Sequence, residues 1–258
     1  IIFIVADDVG YEVPTCNGGQ SYSTPNLDAI ANKGIRFTQA HSAPMCSPSR
    51  IMLLTGKYSN RNYTTWGYLN PSEKTIGNML KDAGYNTCYT GKWQLDGGGT
   101  SITKLGWMNY SVWLPFLLPA ESMEGSRYKS AKIYEGGGYL PGSASKNKYS
   151  DDIFTSYLLN FIDQSTQQDK PFFAYYAMML CHPPAAPTPD DPEYATWNFG
   201  TTGNGDKTFY PSMVKYMDKK IGEIVAHIDS LGITNNTIII FTGDNGCPRG
   251  IHSEFDDV

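Results

Sequence analysis

The sequence predicts an α/β fold, a mainly parallel sheet sandwiched by helices. Three observations carry that expectation. Continuous apolar runs, β-branched or aromatic, occupy residues 1–5, 171–180 and 237–241, as strands buried on both faces require. Helical patterns fall between them, clearest at 212–228, where Val214, Met217, Ile221, Ile224, Val225 and Ile228 recur at helical spacing. A polar cluster follows each run: Asp7-Asp8, His182 and Asp244-Asn245, joined by Lys92 just beyond a strand at 85–89. Alternating strands and helices give a parallel sheet. Open sheets of this kind bind ligands at the carboxyl ends of their strands, so the four clusters are expected to share one site.

Each element has a local reason. Thr24-Pro25 reads as cap and first position of a helix that Gly34 ends. Residues 35–40 read as a short strand. Pro48 opens a second helix through Ile51, Met52, Leu53 and Leu54, closed near Gly56. A third helix is expected from Ser72, with Ile76, Met79, Leu80 and Ala83 on one face and Gly84 past its end. Residues 151–163 form a helix, with Ile153, Tyr157, Leu158 and Phe161 in phase. Residues 183–206 are a Pro- and Gly-rich loop. Residues 95–149, rich in Gly, Ser and aromatics, are too long for a structureless loop and read as small hairpins or a substrate-side insertion.

The 258 residues suffice for a sizeable core. The net charge of −5 argues against a nucleic-acid backbone binder, but an anionic small substrate needs only a few local cations. No run approaches the roughly 20 apolar residues of a membrane span. The cysteines, Cys16, Cys46, Cys88, Cys181 and Cys247, show no paired zinc spacing, and one or two disulfides among the four other than Cys46 stay open. No secretory leader is read. The sequence opens inside an apolar run and closes at Asp256-Asp257-Val258, and is expected to be part of a longer protein. Lys57 does not mark a phosphate loop, because the Walker pattern needs a glycine where Ile51 stands.

Asp7 and Asp8 are adjacent carboxylates at a strand end, and like charges there repel unless a cation neutralises them. Asp244 and Asn245 add a carboxylate and an amide oxygen in an equivalent position. Either pair alone reads as turn chemistry. Together, after two buried strands, they make an all-oxygen set suited to Ca2+ or Mg2+. Cys46 precedes Arg50 by four residues at a helix start, where free N–H groups favour an anionic substrate and one turn puts both side chains on one face. A buried inert thiol is the bland alternative, and this spacing outweighs it. Lys92 and His182 taken singly read as a surface charge and a loop histidine. At strand ends they become a holder of sulfate or phosphate oxygens and a proton donor to a leaving oxygen.

Cys46-Ser47-Pro48-Ser49-Arg50 resembles the Cys-x-Pro-Ser-Arg signature of type I sulfatases, in the alkaline-phosphatase-like superfamily. Leu54-Thr55-Gly56, Gly84-Tyr85-Asn86-Thr87 through Gly91-Lys92-Trp93, His182-Pro183 and Asp244-Asn245-Gly246 are similar to further family motifs, in the family's order. The resemblance implies the family's fold, with residues 1–258 as its N-terminal catalytic part. It implies that Cys46 is oxidised to formylglycine by a maturing enzyme, and that Asp7, Asp8, Asp244 and Asn245, with residue 46, bind one Ca2+. Arg50 and Lys92 would hold the hydrated aldehyde, which attacks sulfur. His182, with Lys92 and Gln94, would face the substrate, and the second hydroxyl of the hydrate would expel sulfate. The implied substrate is a sulfated small molecule or glycan, and the implied address is periplasmic or secreted. Two departures stand out. The family has histidine where this chain has Gln94, which hydrogen-bonds but cannot titrate, and it expects another lysine beyond the last residue here. The alternatives are a phosphonate or phosphate monoester hydrolase of the same superfamily and a non-catalytic anion- or glycan-binding relative.

Overall fold

In chain order the elements are β1 (Ile2–Ala6), α1 (Pro25–Lys33), α2 (Cys46–Thr55), α3 (Ser59–Asn62), α4 (Ile76–Asp82), β2 (Asn86–Lys92), α5 (Gly98–Lys104) and β3 (Asn109–Trp113). They continue with β4 (Ile133–Glu135), β5 (Gly138–Tyr139), α6 (Gly142–Ser145), α7 (Ser150–Gln167), β6 (Phe172–Ala177), α8 (Tyr210–Ser230) and β7 (Ile239–Gly243). The structure, a computed structural model, describes residues 1–113, 127–200, 205–251 and 253–254. Residues 114–126 of the expected insertion, 201–204 of the expected loop and the closing 255–258 lie outside the described residues.

The strands form one sheet in the order β5-β4-β3-β2-β6-β1-β7. The run β3-β2-β6-β1-β7 is parallel, and β4 and β5 add an antiparallel edge. Successive residues along each strand face opposite layers. Ile2, Ile4, Ala174 and Tyr176 join the layer of α1, α7 and α8, with Leu27, Phe154, Leu158, Met217, Ile221 and Ile224. Val5, Tyr89, Phe173, Tyr175 and Val112 join the layer of α2 and α5, with Ile51, Leu54 and Ile102. This two-sided burial is why the strands read as unbroken apolar runs. The second layer is aromatic: Tyr89 stacks on Tyr175 at 4.8 Å across the β2–β6 pair and meets Trp93 and Trp107 edge-on.

Several boundaries differ from expectation. Residues 35–40 are not a strand; Ile35 and Phe37 lie 82% and 74% exposed, and both edges of β1 are already taken by β6 and β7. The third helix starts at Ile76 rather than Ser72, because Thr75 and Asn78 cap its first turn reciprocally. The second begins at Cys46 itself, two residues before Pro48. β6 ends at Ala177, although the residues to Cys181 stay buried: there the backbone bends to exchange hydrogen bonds with Asp7, from Asp7 N to Leu180 O and from Cys181 N to Asp7 O. The described part of 95–149 contains the expected hairpin, β4–β5, and also α5 and the parallel strand β3. All five cysteines are free thiols, so the disulfides left open are not formed.

β2 runs on to Lys92 because residue 91 is glycine. Its φ is +99°, and a Cβ there would lie 1.8 Å from Ala177 O. The Tyr89 hydroxyl donates to Lys92 O at 2.9 Å and ties down the strand end.

Candidate active site

At one end of the sheet β1, β2, β6 and β7 terminate side by side, and every polar cluster picked out in the sequence meets there. Asp7 follows β1 and is fully buried. Lys92, the last residue of β2, donates from Nζ to both Asp7 oxygens, at 2.9 and 2.7 Å. Asp244 follows β7, whose last residue, Gly243, has room only for a hydrogen: a Cβ would lie 2.1 Å from Val9 O. Asp244 N donates to Ala6 O at 3.0 Å, and Asp8 N donates back to Asp244 Oδ1 at 3.1 Å. Asp8 itself has φ of +56°, a turn conformation that Asp tolerates. Asn245 Nδ2 donates to Asp8 Oδ1 at 2.5 Å.

α2 delivers two side chains one turn apart. Arg50 is buried, with Nε on Asp244 Oδ2 at 2.9 Å and Nη2 3.4 Å from Asp7 Oδ1, so one guanidinium links the ends of β1 and β7. Neither Nη1 nor Nη2 makes a hydrogen bond. Cys46, the first residue of α2, is half-buried with its Sγ 3.9 Å from Gln94 Oε1. Gln94 is buried and adopts φ of +53° two residues past Lys92, which turns its amide to the cysteine.

The charges at this strand end are neutralised largely by the protein's own cations. Burial alone raises the carboxyl of Asp7, but Lys92, His182, Arg50 and Arg127 together hold it well below the usual range. Burial pushes Asp244 up to about 6, opposed by Arg50. Asp8 is raised as well, by burial and then by the charge of Asp7. Burial pushes the His182 imidazole down to about 4 against the pull of Asp7, so it is neutral near pH 7. Its Nδ1 donates to Pro183 O, which leaves the Nε2 lone pair facing Asp8 Oδ2 at 3.8 Å.

This arrangement fits a hard cation. Among the described residues Asp7, Asp8 and His182 bring one ligand atom each within 4.8 Å of one another. Asn245 Oδ1 is buried without a hydrogen-bond donor. Oxygens of Asp7 and Asp8 and the undonated Oδ1 of Asn245 are the kind of donor that Ca2+ or Mg2+ takes, whereas the imidazole of His182 is not a usual ligand of either. His182, read in the sequence as facing the substrate, lies 3.8 Å from Asp8 and is 27% exposed. Cys46, read there as a further ligand, lies against Gln94.

One residue escaped the sequence reading. Arg127 is buried, donates from Nη1 to Asp7 Oδ2 at 3.1 Å, and lies 4.6 Å over the ring of Trp113, the last residue of β3. Its only sequence signal is that it is the single arginine in 95–149.

Comparisons with known proteins identify the family and the fold. The Sulfatase family profile matches residues 1–253. N-acetylgalactosamine-6-sulfatase of Mus musculus is 31% identical, over 95% of this chain and 50% of its own length. An N-acetylgalactosamine-6-O-sulfatase of Bacteroides thetaiotaomicron is 29% identical, over 95% of this chain and 58% of its own. The solved structure of Ps i-CgsB in complex with k-i-k-neocarrahexaose superimposes with a TM-score of 0.79 at 25% identity, covering 95% of this chain and 58% of that one. A phosphonate monoester hydrolase of Agrobacterium radiobacter shares the fold, with a TM-score of 0.63 at 19% identity over 99% of this chain and 65% of its own. The chain spans about half the length of the first of these curated relatives. With the signature at Cys46–Arg50 heading α2 and a profile match over nearly every residue, the chain belongs to the sulfatase family.

Proposed function

We propose that the protein containing this chain hydrolyses sulfate monoesters of carbohydrates to the alcohol and inorganic sulfate. One observation supports the reading: Arg50, one turn along α2 from residue 46, reaches the strand ends where Lys92 holds Asp7 and Asp244 meets Asp8. Cys46 is read as the site of oxidation to formylglycine, whose hydrate supplies an oxygen nucleophile that can later release sulfate. Asp7, Asp8, Asp244 and Asn245, with residue 46, would hold Ca2+ or Mg2+, which would supply positive charge to stabilise developing negative charge.

The chain's own residues do the rest. Arg50, one turn along α2 from residue 46 and anchored through Nε on Asp244, keeps both Nη atoms without a hydrogen bond, although Nη2 stands 3.4 Å from Asp7 Oδ1. Lys92 brings a buried positive charge to the oxygens on which charge develops, where low dielectric strengthens it. His182, neutral with its ring proton held on Nδ1 by Pro183 O, offers the Nε2 lone pair as an acceptor; only the imidazolium form could give a proton from Nε2 to the leaving oxygen. Gln94 hydrogen-bonds residue 46 without exchanging a proton.

Relatives bearing the names of N-acetylgalactosamine 6-sulfatases and a ulvan-active sulfatase, and a neighbour solved with a carrageenan-type hexaose, support a sulfated glycan as substrate. The same reading calls for a maturing enzyme acting on Cys46, a periplasmic or secreted address, and a substrate-side role for part of 95–149. Among the described residues no helix is long and apolar enough to cross a membrane.

Side-by-side hydrolysis of an aryl sulfate and an aryl phosphonate by the matured full-length protein tests the reaction class. The expected result is faster sulfate hydrolysis, with desulfated sugars released from a glycan library. A strong phosphonate preference transfers the reading to a phosphonate monoester hydrolase. Binding of sulfated glycans with no turnover of either ester makes the protein a non-catalytic relative.

A further inference from the structure

We propose that Arg127 binds the oxyanion of the substrate, its guanidinium held over the site by the face of Trp113. The proposal rests on the sulfate-ester reading above and adds a residue to it.

The argument starts from a surplus at Asp7. Lys92 already contacts both oxygens of that carboxylate, Arg50 stands 3.4 Å from one, and Arg127 donates to the other at 3.1 Å. Three buried cations thus share one buried carboxylate. Counting the whole strand end, Arg50, Lys92 and Arg127 balance Asp7, Asp8 and Asp244, with His182 neutral. A divalent cation on those carboxylates leaves two positive charges in excess, and buried charge of that kind is retained only where an anion matches it. The missing anion is the substrate's.

Geometry says which further cation can meet it. Arg50 is tied to Asp244 through Nε and lies under the carboxylates on α2. Lys92 is fully buried at the end of β2. Arg127 comes from the segment leading into β4, outside the parallel strands. The register sets Lys92 beside Trp113 and Trp113 beside Ile133, so the support of Arg127 stands one strand, about 5 Å, from Lys92. A guanidinium over an indole is held in orientation while its edge keeps parallel N–H donors. That fork matches two oxygens of one tetrahedral anion. As a partner of Asp7 alone it would duplicate Lys92.

The test compares the matured full-length wild type with Arg127→Gln and Arg127→Lys. Glutamine is uncharged and polar, and Lys92 still holds both oxygens of Asp7, which guards the fold. Two quantities are read: Ca2+ affinity by calorimetry, and affinity of the calcium-loaded protein for inorganic sulfate alongside KM for an aryl sulfate. The expected result is sulfate affinity and KM weakened about tenfold or more in Arg127→Gln, partial recovery in Arg127→Lys, and Ca2+ affinity unchanged or tighter. Sulfate affinity within twofold of wild type in Arg127→Gln overturns the proposal, as does a loss confined to Ca2+ binding. If the wild type hydrolyses aryl sulfate while Arg127→Gln binds sulfate normally, this inference fails alone. If the wild type turns over no sulfate ester yet binds inorganic sulfate through Arg127, the sulfatase reading fails and this one stands. A wild type that binds no sulfate overturns both.

Discussion

Arg50 shows what a single residue does here. It is the only described side chain that contacts both Asp7 and Asp244, and so joins the two carboxylates that follow β1 and β7. Lysine in its place has one nitrogen centre and cannot span both. Asp7 keeps Lys92 and Arg127, so a lysine drawn to it leaves buried Asp244 without its cation; Arg50→Lys is expected to cost about 3 kcal/mol of stability, read as a lower urea midpoint with unchanged slope. A midpoint equal to wild type would mean that the bridge carries no net stability. Residues of this kind were legible in sequence because their positions are local: Arg50 and Cys46 by helical spacing, Asp7, Asp8, Lys92 and Asp244 by following apolar runs. Arg127 was not, because nothing near it in sequence hints at Asp7, 120 positions away. His182 was legible too, but its approach to Asp8 at 3.8 Å was not, because it depends on how the backbone bends after β6.

At the scale of elements, strand ends position the site and helices hold those ends. The junction of α7 and β6 is the clearest case. Asp151, in the first turn of α7, is fully buried and accepts hydrogen bonds from Met179 N at 3.1 Å and the Tyr176 hydroxyl at 3.2 Å, clamping the turn that leads to His182. Burial pushes its carboxyl up to about 7 despite those bonds. Between the ordinary value of 3.8 and about 7 the folded protein then binds more protons than the unfolded chain. The stability of this neutral acid is complete below that window and lost as pH rises through it. Asp151→Asn keeps an acceptor for Met179 N and removes the titration. The wild-type melting temperature is expected to fall relative to the variant between pH 5 and pH 7, and parallel curves would refute the assignment. Helix and strand existence was readable from periodicity, whereas boundaries were set by particular contacts: the Thr75–Asn78 cap, the Gly91 approach and the bend at Asp7. The 35–40 segment had strand-like composition but no free edge of β1 beside it.

At the scale of the whole molecule, the parallel order β3-β2-β6-β1-β7 is what brings residues 7, 92, 182 and 244 together. The rule that ligands meet parallel sheets at their carboxyl ends made the location of the site legible before the fold was known. The strand order and the antiparallel edge were not legible, because pairing across a hundred residues leaves no local trace. A site that gathers three carboxylates should gain stability from the cation it is read to hold. Ca2+ at a hundred times its dissociation constant is expected to add about 2.7 kcal/mol to unfolding, seen as a rise in melting temperature that Asp8→Asn abolishes. A melting temperature indifferent to Ca2+ and to chelator would remove the cation from the account.

The central claim is that residue 46 is the reacting group. The mass of tryptic peptide 37–50, taken from full-length protein made in a host with an active sulfatase-maturing enzyme, tests it most directly. The account predicts the mass of the peptide with Cys46 converted to formylglycine. An unmodified cysteine, where a control sulfatase in the same host is converted, would contradict it.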